Sequence, residues 1–302
     1  MKKIFIGNYK GGVGKTTSTL FLGKCLKDLG KKVLLMDLDP QSSLSEICIK
    51  KEDKERSLEY LEPKQTLNYV YDLSIDNVRK GYNLDVQFDL DYLISQYEEG
   101  LDFVASSLYY RENVGLDELN MSMGKDIRYF SILAKLIRNI EDKLPEYDYL
   151  LMDCPPNSSV ITQSAFLISD GYLIPTIVDS ISAKGIMHYI GIISKIHAKY
   201  CTNHQDAYLF KHYFGENPKL IGIFYTLIRG QVRYDEVIEK LRNELGKLNI
   251  DQCIYVFESF TNNYVAVTRA VAENKLGNLH VSKNTYPKIT KEFLKRLSDL
   301  NL

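Results

Sequence analysis

One segment constrains this chain more than any other. The apolar run Ile4-Phe5-Ile6 breaks into Gly7-Asn8-Tyr9-Lys10-Gly11-Gly12-Val13-Gly14-Lys15-Thr16-Thr17, which opens a helix-period stretch over 15–29. A strand running through a glycine-rich turn into a helix is the context a phosphate-binding loop requires. Glycines let the backbone turn tightly and bring N–H groups against phosphate oxygens, and the helix adds its positive N-terminal end. In such a loop Lys15 places a point charge on the β- and γ-phosphates, Thr16 offers a hydroxyl to Mg²⁺, and Thr17 reaches an α-phosphate oxygen. With Gly11, Gly12, Val13 and Gly14 these residues form the phosphate cradle. Six fixed letters at these positions arise by chance in about one chain in 10⁴–10⁵ of this length.

The rest of the sequence agrees with a strand-and-helix architecture. Short apolar runs at Lys3–Gly7, Lys32–Asp37, Phe103–Ser106, Tyr149–Asp153, Gly171–Pro175, Leu220–Tyr225 and Cys253–Phe257 predict strands. Helical periodicity is predicted at 15–29, 127–143, 158–169, 182–199, 231–246, 263–274 and 288–300. Alternation of this kind predicts an α/β fold, a mainly parallel twisted sheet flanked by helices on both faces. Residues 50–100 read as polar, Tyr-rich and irregular, and 200–219 as an inserted loop with aromatic anchors. No linker or repeat splits the 302 residues, so a single domain over 1–302 is expected, with insertions near 50–100 and 200–219.

Composition excludes several classes. The chain is 45% apolar, too rich to be disordered, yet no stretch approaches 18 uncharged apolar residues, so no membrane-spanning helix is expected. The apolar run after Lys2-Lys3 is too short for a signal peptide. Cys25, Cys48, Cys154, Cys201 and Cys253 form no CxxC pair, and a cytoplasmic location follows as the expectation. A formal net charge of −1 excludes a wholly basic DNA-coating protein. The distribution is uneven: from Leu220 onward 12 basic residues face 9 acids, and before it 26 face 30. A polyanion should therefore prefer the C-terminal third.

Two further apolar strands end in acids, Val33-Leu34-Leu35-Met36-Asp37-Leu38-Asp39-Pro40-Gln41 and Tyr149-Leu150-Leu151-Met152-Asp153-Cys154-Pro155-Pro156. Carboxylates at the C-terminal ends of buried strands are costly unless they face a cation or the site crevice. Asp39 could instead cap a helix opening near Gln41.

The phosphate loop has Tyr9 where the ordinary motif starts with glycine, and a second lysine, Lys10, five residues before Lys15. It resembles the deviant Walker A motif KGGxGK[ST] of the ParA/MinD superfamily of dimerising P-loop ATPases. The acid-ended strands resemble that superfamily's DxDPQ and DxPP motifs. Leu101–Ser107 and Ala165–Pro175 resemble further segments, so that 3–47 and 101–185 match with three motifs in order. The resemblance implies an ATP- and Mg²⁺-dependent homodimer in which Lys10 reaches the partner's nucleotide. Lys10, Lys15 and Asp39 would be the catalytic residues, Asp39 orienting the attacking water, with Thr16, Asp37 and Asp153 on the metal side. The C-terminal third fits more loosely: Phe257-Glu258-Ser259-Phe260 stands where the family usually carries an Ile-Pro-Arg turn near the base, and no base-reading residue is assigned.

Helical geometry then suggests what such an ATPase acts on. At 100° per residue, Lys184, His188, Lys195 and Lys199 fall within about 60° of one another, and Arg229, Arg233, Lys240 and Lys247 share an arc of about 40°. Either stripe alone reads as a solvated helix face; together they suggest non-specific DNA binding, with Arg229, Arg233 and Lys240 on phosphates. The family implies slow hydrolysis hastened by a ParB-like centromere-binding partner, partition of plasmid or chromosomal DNA, and a nucleoid-associated location. The chain starts almost at its first strand, so an extra N-terminal DNA-binding domain is not expected. The alternatives are a switch of the same fold positioning another cargo or acting at a membrane, and a metabolic P-loop enzyme. The amphipathic segment Lys291–Leu300 is read as a helix docked on the core rather than a membrane foot, because Glu292 and Asp299 dilute its basic face. His197, Cys201, His204 and His212 do not follow a known tetrahedral zinc spacing. Cys154 has no glycine-flanked mate of the kind a cluster-bearing reductase would need.

Overall fold

In a computed structural model, residues 1–49, 57–82, 86–124, 126–177, 182–228, 236, 239, 241, 243, 254–262 and 285–302 are described, with backbone only at 182–184. Six of the seven predicted apolar runs form strands, and the sheet, among the described residues, has seven strands. In chain order they are β1 (Lys2–Ile6), β2 (Val33–Asp37), β3 (Ile94–Glu98), β4 (Leu101–Val104), β5 (Tyr149–Asp153), β6 (Gly171–Ile177) and β7 (Lys219–Thr226), arranged in space as β3-β4-β2-β5-β1-β6-β7. Every pairing is parallel except that of the edge strand β3 with β4.

Side chains alternate across this sheet, as the pleat demands. Phe5, Leu34, Met36, Leu150 and Met152 enter the core on one face; Ile4, Ile6, Val33, Leu35 and Leu151 enter the core on the other. Both faces are apolar because both are covered. The first face carries α3 (Leu67–Arg79), α6 (Ile127–Lys143), α7 (Val160–Ile168) and α8 (Ser182–Cys201). The second carries α1 (Lys15–Asp28), α2 (Ser43–Ile49) and α10 (Tyr286–Asp299). Short α4 (Leu90–Leu93), α5 (Leu116–Met121) and α9 (Ala207–Phe214) are further described helices. Side-chain caps start several of them: Thr66 accepts from the Tyr69 amide, Asp126 from that of Arg128, and Ser159 from that of Thr162.

The structure corrects the reading of two regions. Residues 50–100 are not irregular where described, since they hold α3 and β3. In α3, Leu67, Val70, Tyr71, Ile75 and Val78 lie on the buried face, a helical spacing that its Tyr, Asn and Asp content obscured. β3 pairs with β4 through a tight turn at Gly100, whose φ of 82° suits glycine. Within 200–219 lies α9, whose Phe210 is fully buried and stacks on Tyr200 at 5.1 Å.

Elsewhere the outcome is mixed. The strand expected at Cys253–Phe257 is, over its described part, a single bridge between Val256 and Ile223. The helix expected at 263–274 lies outside the described residues; of 231–246 only 236, 239, 241 and 243 are described, and these are helical. The amphipathic C-terminal segment docks as expected: Tyr286, Ile289, Phe293 and Leu297 of α10 are buried in the second core, and Tyr286 stacks on Phe21 of α1. Burying each such side chain contributes about 1.5–3 kcal/mol. Among the described residues no helix is long and apolar enough to cross a membrane.

Candidate nucleotide site

Parallel strands put all their C-terminal ends at one edge, and the loops leaving β1, β2 and β5 meet there. Register makes the meeting close, because Asp153 of β5 pairs with Ile6 of β1 on one side and with Asp37 of β2 on the other.

The loop after β1 is held on three sides. Gly7 has no room for a side chain, since a Cβ there would stand 2.5 Å from the Tyr189 hydroxyl of α8. Asn8 is buried; its Nδ2 donates to the Pro175 carbonyl of β6 (2.9 Å) and its Oδ1 accepts from the Lys10 amide (3.0 Å). Thr226, the last residue of β7, donates its hydroxyl to the Val13 carbonyl at 2.7 Å. Tyr9 packs edge-on against Tyr189, with ring centroids 5.0 Å apart. Gly11 and Gly12 are exposed at the tip, and Gly12 and Gly14 take the left-handed backbone (φ 70° and 76°) that favours glycine. Gly14 caps α1, whose first turn carries no acid. Lys15 is 7% exposed and bends back to donate to the Lys10 carbonyl at 3.3 Å. Thr16 and Thr17 are half-buried in the first turn.

Three acids face this loop. Both oxygens of Asp37 are engaged: Oδ1 accepts from the Asp39 amide (3.1 Å), and Oδ2 from the amide (2.8 Å) and hydroxyl (2.7 Å) of Ser45. Burial pushes its carboxyl up to about 6, with the neighbouring Asp39 charge adding and the Ser45 hydrogen bonds opposing. Asp153 is 1% exposed, and neither oxygen makes a hydrogen bond of ordinary geometry. Burial, and then repulsion from Asp37, holds it well above the carboxylate range; the nearby Thr16 hydroxyl and Lys15 favour its charge. Burial lowers Lys15, with the nearby Asp153 and Asp39 charges opposing. Asp39 does not cap a helix: it accepts from the Gln41 amide through Oδ1 (3.0 Å) in the turn before α2, while its Oδ2 has no hydrogen bond among the described residues.

This arrangement fits a metal–nucleotide. Two buried acids side by side, one without a hydrogen bond of ordinary geometry among the described residues, are favoured in their charged form by a nearby cation. Among the described residues no group of three or more His, Cys, Asp or Glu could hold a metal. A site completed by substrate phosphates and water suits Mg²⁺, which dehydrates reluctantly.

The structure thus brings Lys10, Gly11, Gly12, Val13, Gly14, Lys15, Thr16, Thr17, Asp37, Asp39 and Asp153 to one edge of the sheet. Lys195 and Lys199 are exposed on α8 along with His188, whose ring lies 6.5 Å from that of Tyr9; Lys199 donates to the Tyr200 hydroxyl at 2.9 Å. Lys184 lies in α8 with its side chain undescribed, and Arg229, Arg233, Lys240 and Lys247 lie outside the described residues. The segment 257–260, which departs from the family's base-side turn, is latched to α10: the Glu258 and Ser259 amides and the Tyr255 hydroxyl donate to Glu292 (2.7, 3.0 and 2.8 Å). His197, Cys201, His204 and His212 do not converge. His197 contacts the Gly215 carbonyl, His204 packs on Phe210, and burial pushes the Cys201 thiol up to about 11. Cys154 is fully buried. Sequence reasoning missed the supporting residues Asn8, Ser45, Ser106 and Thr226; the polar letters at three strand ends and in the first turn of α2 were the available signal.

Comparison with known proteins agrees with this geometry. A family model described as AAA domain matches residues 1–205. The sporulation initiation inhibitor protein Soj of Bacillus subtilis is 31% identical over 194 residues, which is 64% of this chain and 64% of Soj. The chain thus spans less than two thirds of that relative's length. Among solved structures, a plasmid partition protein from Borrelia burgdorferi B31 bound to AMPPNP superposes with a TM-score of 0.63 at 21% identity, covering 99% of this chain and 98% of that one. A cobyrinic acid a,c-diamide synthase from Mycobacterium smegmatis, with bound ATP analogue and magnesium, gives 0.62 at 17% identity, covering 99% and 96%. At these identities the two structures speak to the fold alone.

Proposed function

The chain belongs to the AAA domain family, in the ParA/MinD branch of P-loop ATPases, and from that premise we propose that it is a Mg²⁺-ATP-driven dimerisation switch that partitions DNA. The observation that carries the proposal is the convergence of the two-lysine loop with Asp39 and the bare Asp153 at one sheet edge.

In this reading the loop amides and Lys15 hold the phosphates, and Thr17 hydrogen-bonds near the α-phosphate. Thr16 and Asp153 would hold the metal, with Asp37 on the same side, and Asp37 also fixes the Asp39 backbone through its amide. When bound, Mg²⁺ offsets the negative charge of the phosphoryl oxygens. Asp39 orients the attacking water through Oδ2, which makes no hydrogen bond among the described residues. Lys10 neutralises charge on the sister molecule's nucleotide, which makes nucleotide and dimer mutually dependent. The exposed Gly11–Gly12 tip lets the two loops approach.

The dimer then binds DNA without sequence preference through Lys195, Lys199 and Lys184 of α8, doubled by symmetry, and through Arg229, Arg233 and Lys240. Slow hydrolysis, hastened by a ParB-like centromere-binding protein, releases it. The site of action is the cytoplasm, on the nucleoid. DNA retention and molecular mass measured with ADP, ATP and a non-hydrolysable analogue test the proposal. ATP and the analogue, but not ADP, should give a DNA-retained dimer; equal retention in all three states would overturn it.

A further inference from the structure

Behind Asp39 lies a ring of buried hydrogen bonds that the nucleotide reading does not use. Ser45 and Ser106 are fully buried, and Asp37 and Ser42 are 1% exposed. The Ser106 amide, just past β4, donates to the Ser45 hydroxyl at 2.8 Å. That hydroxyl has one proton, and it goes to Asp37 (2.7 Å) beside the Ser45 amide. Asp37 accepts the Asp39 amide on its other oxygen, and Asp39 accepts the Gln41 amide. The Ser106 hydroxyl closes the ring on Ser42 at 2.9 Å. Ser42 takes a left-handed backbone (φ 52°), and its amide bonds the Asp39 carbonyl at 2.8 Å. A non-glycine residue keeps that conformation only where its surroundings enforce it.

From this geometry we infer that Ser45 is a positioning residue for Asp39, acting through Asp37 and anchored by Ser106. The inference rests on the reading of Asp39 as the water-orienting acid. Three elements, β2, α2 and the end of β4, fix the segment from Leu38 to Leu44 at both ends, and the Oδ2 side of Asp39 makes no hydrogen bond among the described residues. The ring is separate from the supports of the phosphate loop, which hang on Asn8 and Thr226 from β6 and β7. Loosening the ring should therefore disturb the water and spare the nucleotide. Ser45→Ala removes the Asp37 bond and leaves the Ser106 amide without an acceptor; Ser45→Thr keeps the hydroxyl.

The test measures kcat for ATP, the Kd for Mg-ATP and thermal stability on the full chain, with assays run well below each variant's melting temperature. Ser45→Ala should lower kcat by about 10- to 100-fold, the scale set by small misplacements of a reacting group, and leave Kd within about 2-fold. Ser45→Thr should regain most of the lost turnover. Wild-type kcat in Ser45→Ala, an equal loss in affinity, or a Thr variant as slow as the Ala variant would overturn the inference alone. A wild-type protein that does not turn over ATP would remove the ATPase reading, and this inference with it.

Discussion

The nucleotide crevice and the outer face of α8 make opposite demands on their residues. In the crevice, Asp37, Lys15 and Asp153 are buried and each oxygen or ammonium is placed to within hydrogen-bond reach of a named neighbour or left bare toward the loop. On α8, Lys195 and Lys199 are exposed, and any long cation at that angle would serve. Low dielectric makes each crevice group worth far more than a solvated one, and makes its misplacement correspondingly expensive. Single substitutions should thus act strongly and separably in the crevice, and weakly and cumulatively on the helix.

The largest contrast is expected at Lys15. Lys15→Ala should weaken Mg-ATP binding by about 100-fold or more, the loss of about 3 kcal/mol of charge-assisted contact; calorimetric titration checks this, and near-native affinity would break the comparison. Next, Asp39→Ala should slow hydrolysis by about 100-fold and trap the ATP dimer, which single-turnover kinetics with sizing will read. Gly7→Ala forces a Cβ onto Phe5 and the Tyr189 hydroxyl, and should cost about 1–3 kcal/mol of stability in denaturant titrations. The smallest effects belong to α8. Lys195→Ala with Lys199→Ala should leave stability within about 0.5 kcal/mol. The same pair should make the salt dependence of DNA retention shallower by about two phosphate contacts per subunit. An unchanged salt slope would sharpen the comparison by moving the DNA contact off this helix.

The same difference decides what could be read from the sequence. The phosphate loop, the order of the strands' apolar runs and the acids at 37, 39 and 153 were legible because backbone geometry and buried charge admit few residue types at those positions. β3 escaped notice because it is an edge strand with Ser95, Gln96 and Glu98 among its five residues, and α3 because polar helix positions diluted a regular spacing. The Ser45–Ser106 ring was invisible for another reason. It joins residues 61 apart in sequence, and serine fits a turn, a cap or a surface equally well, so only the folded chain reveals which role it plays. α9 shows the reverse case, an apparent loop whose Phe210 and Phe214 were already its anchors.

The cross-subunit role of Lys10 is the claim on which the switch depends. Static light scattering with a non-hydrolysable ATP analogue tests it directly, comparing the wild-type chain with Lys10→Ala, after titration has established that both bind the analogue. The account predicts twice the mass of a single chain for the wild type and a single-chain mass for the variant. A Lys10→Ala protein that dimerises as fully as the wild type would contradict it.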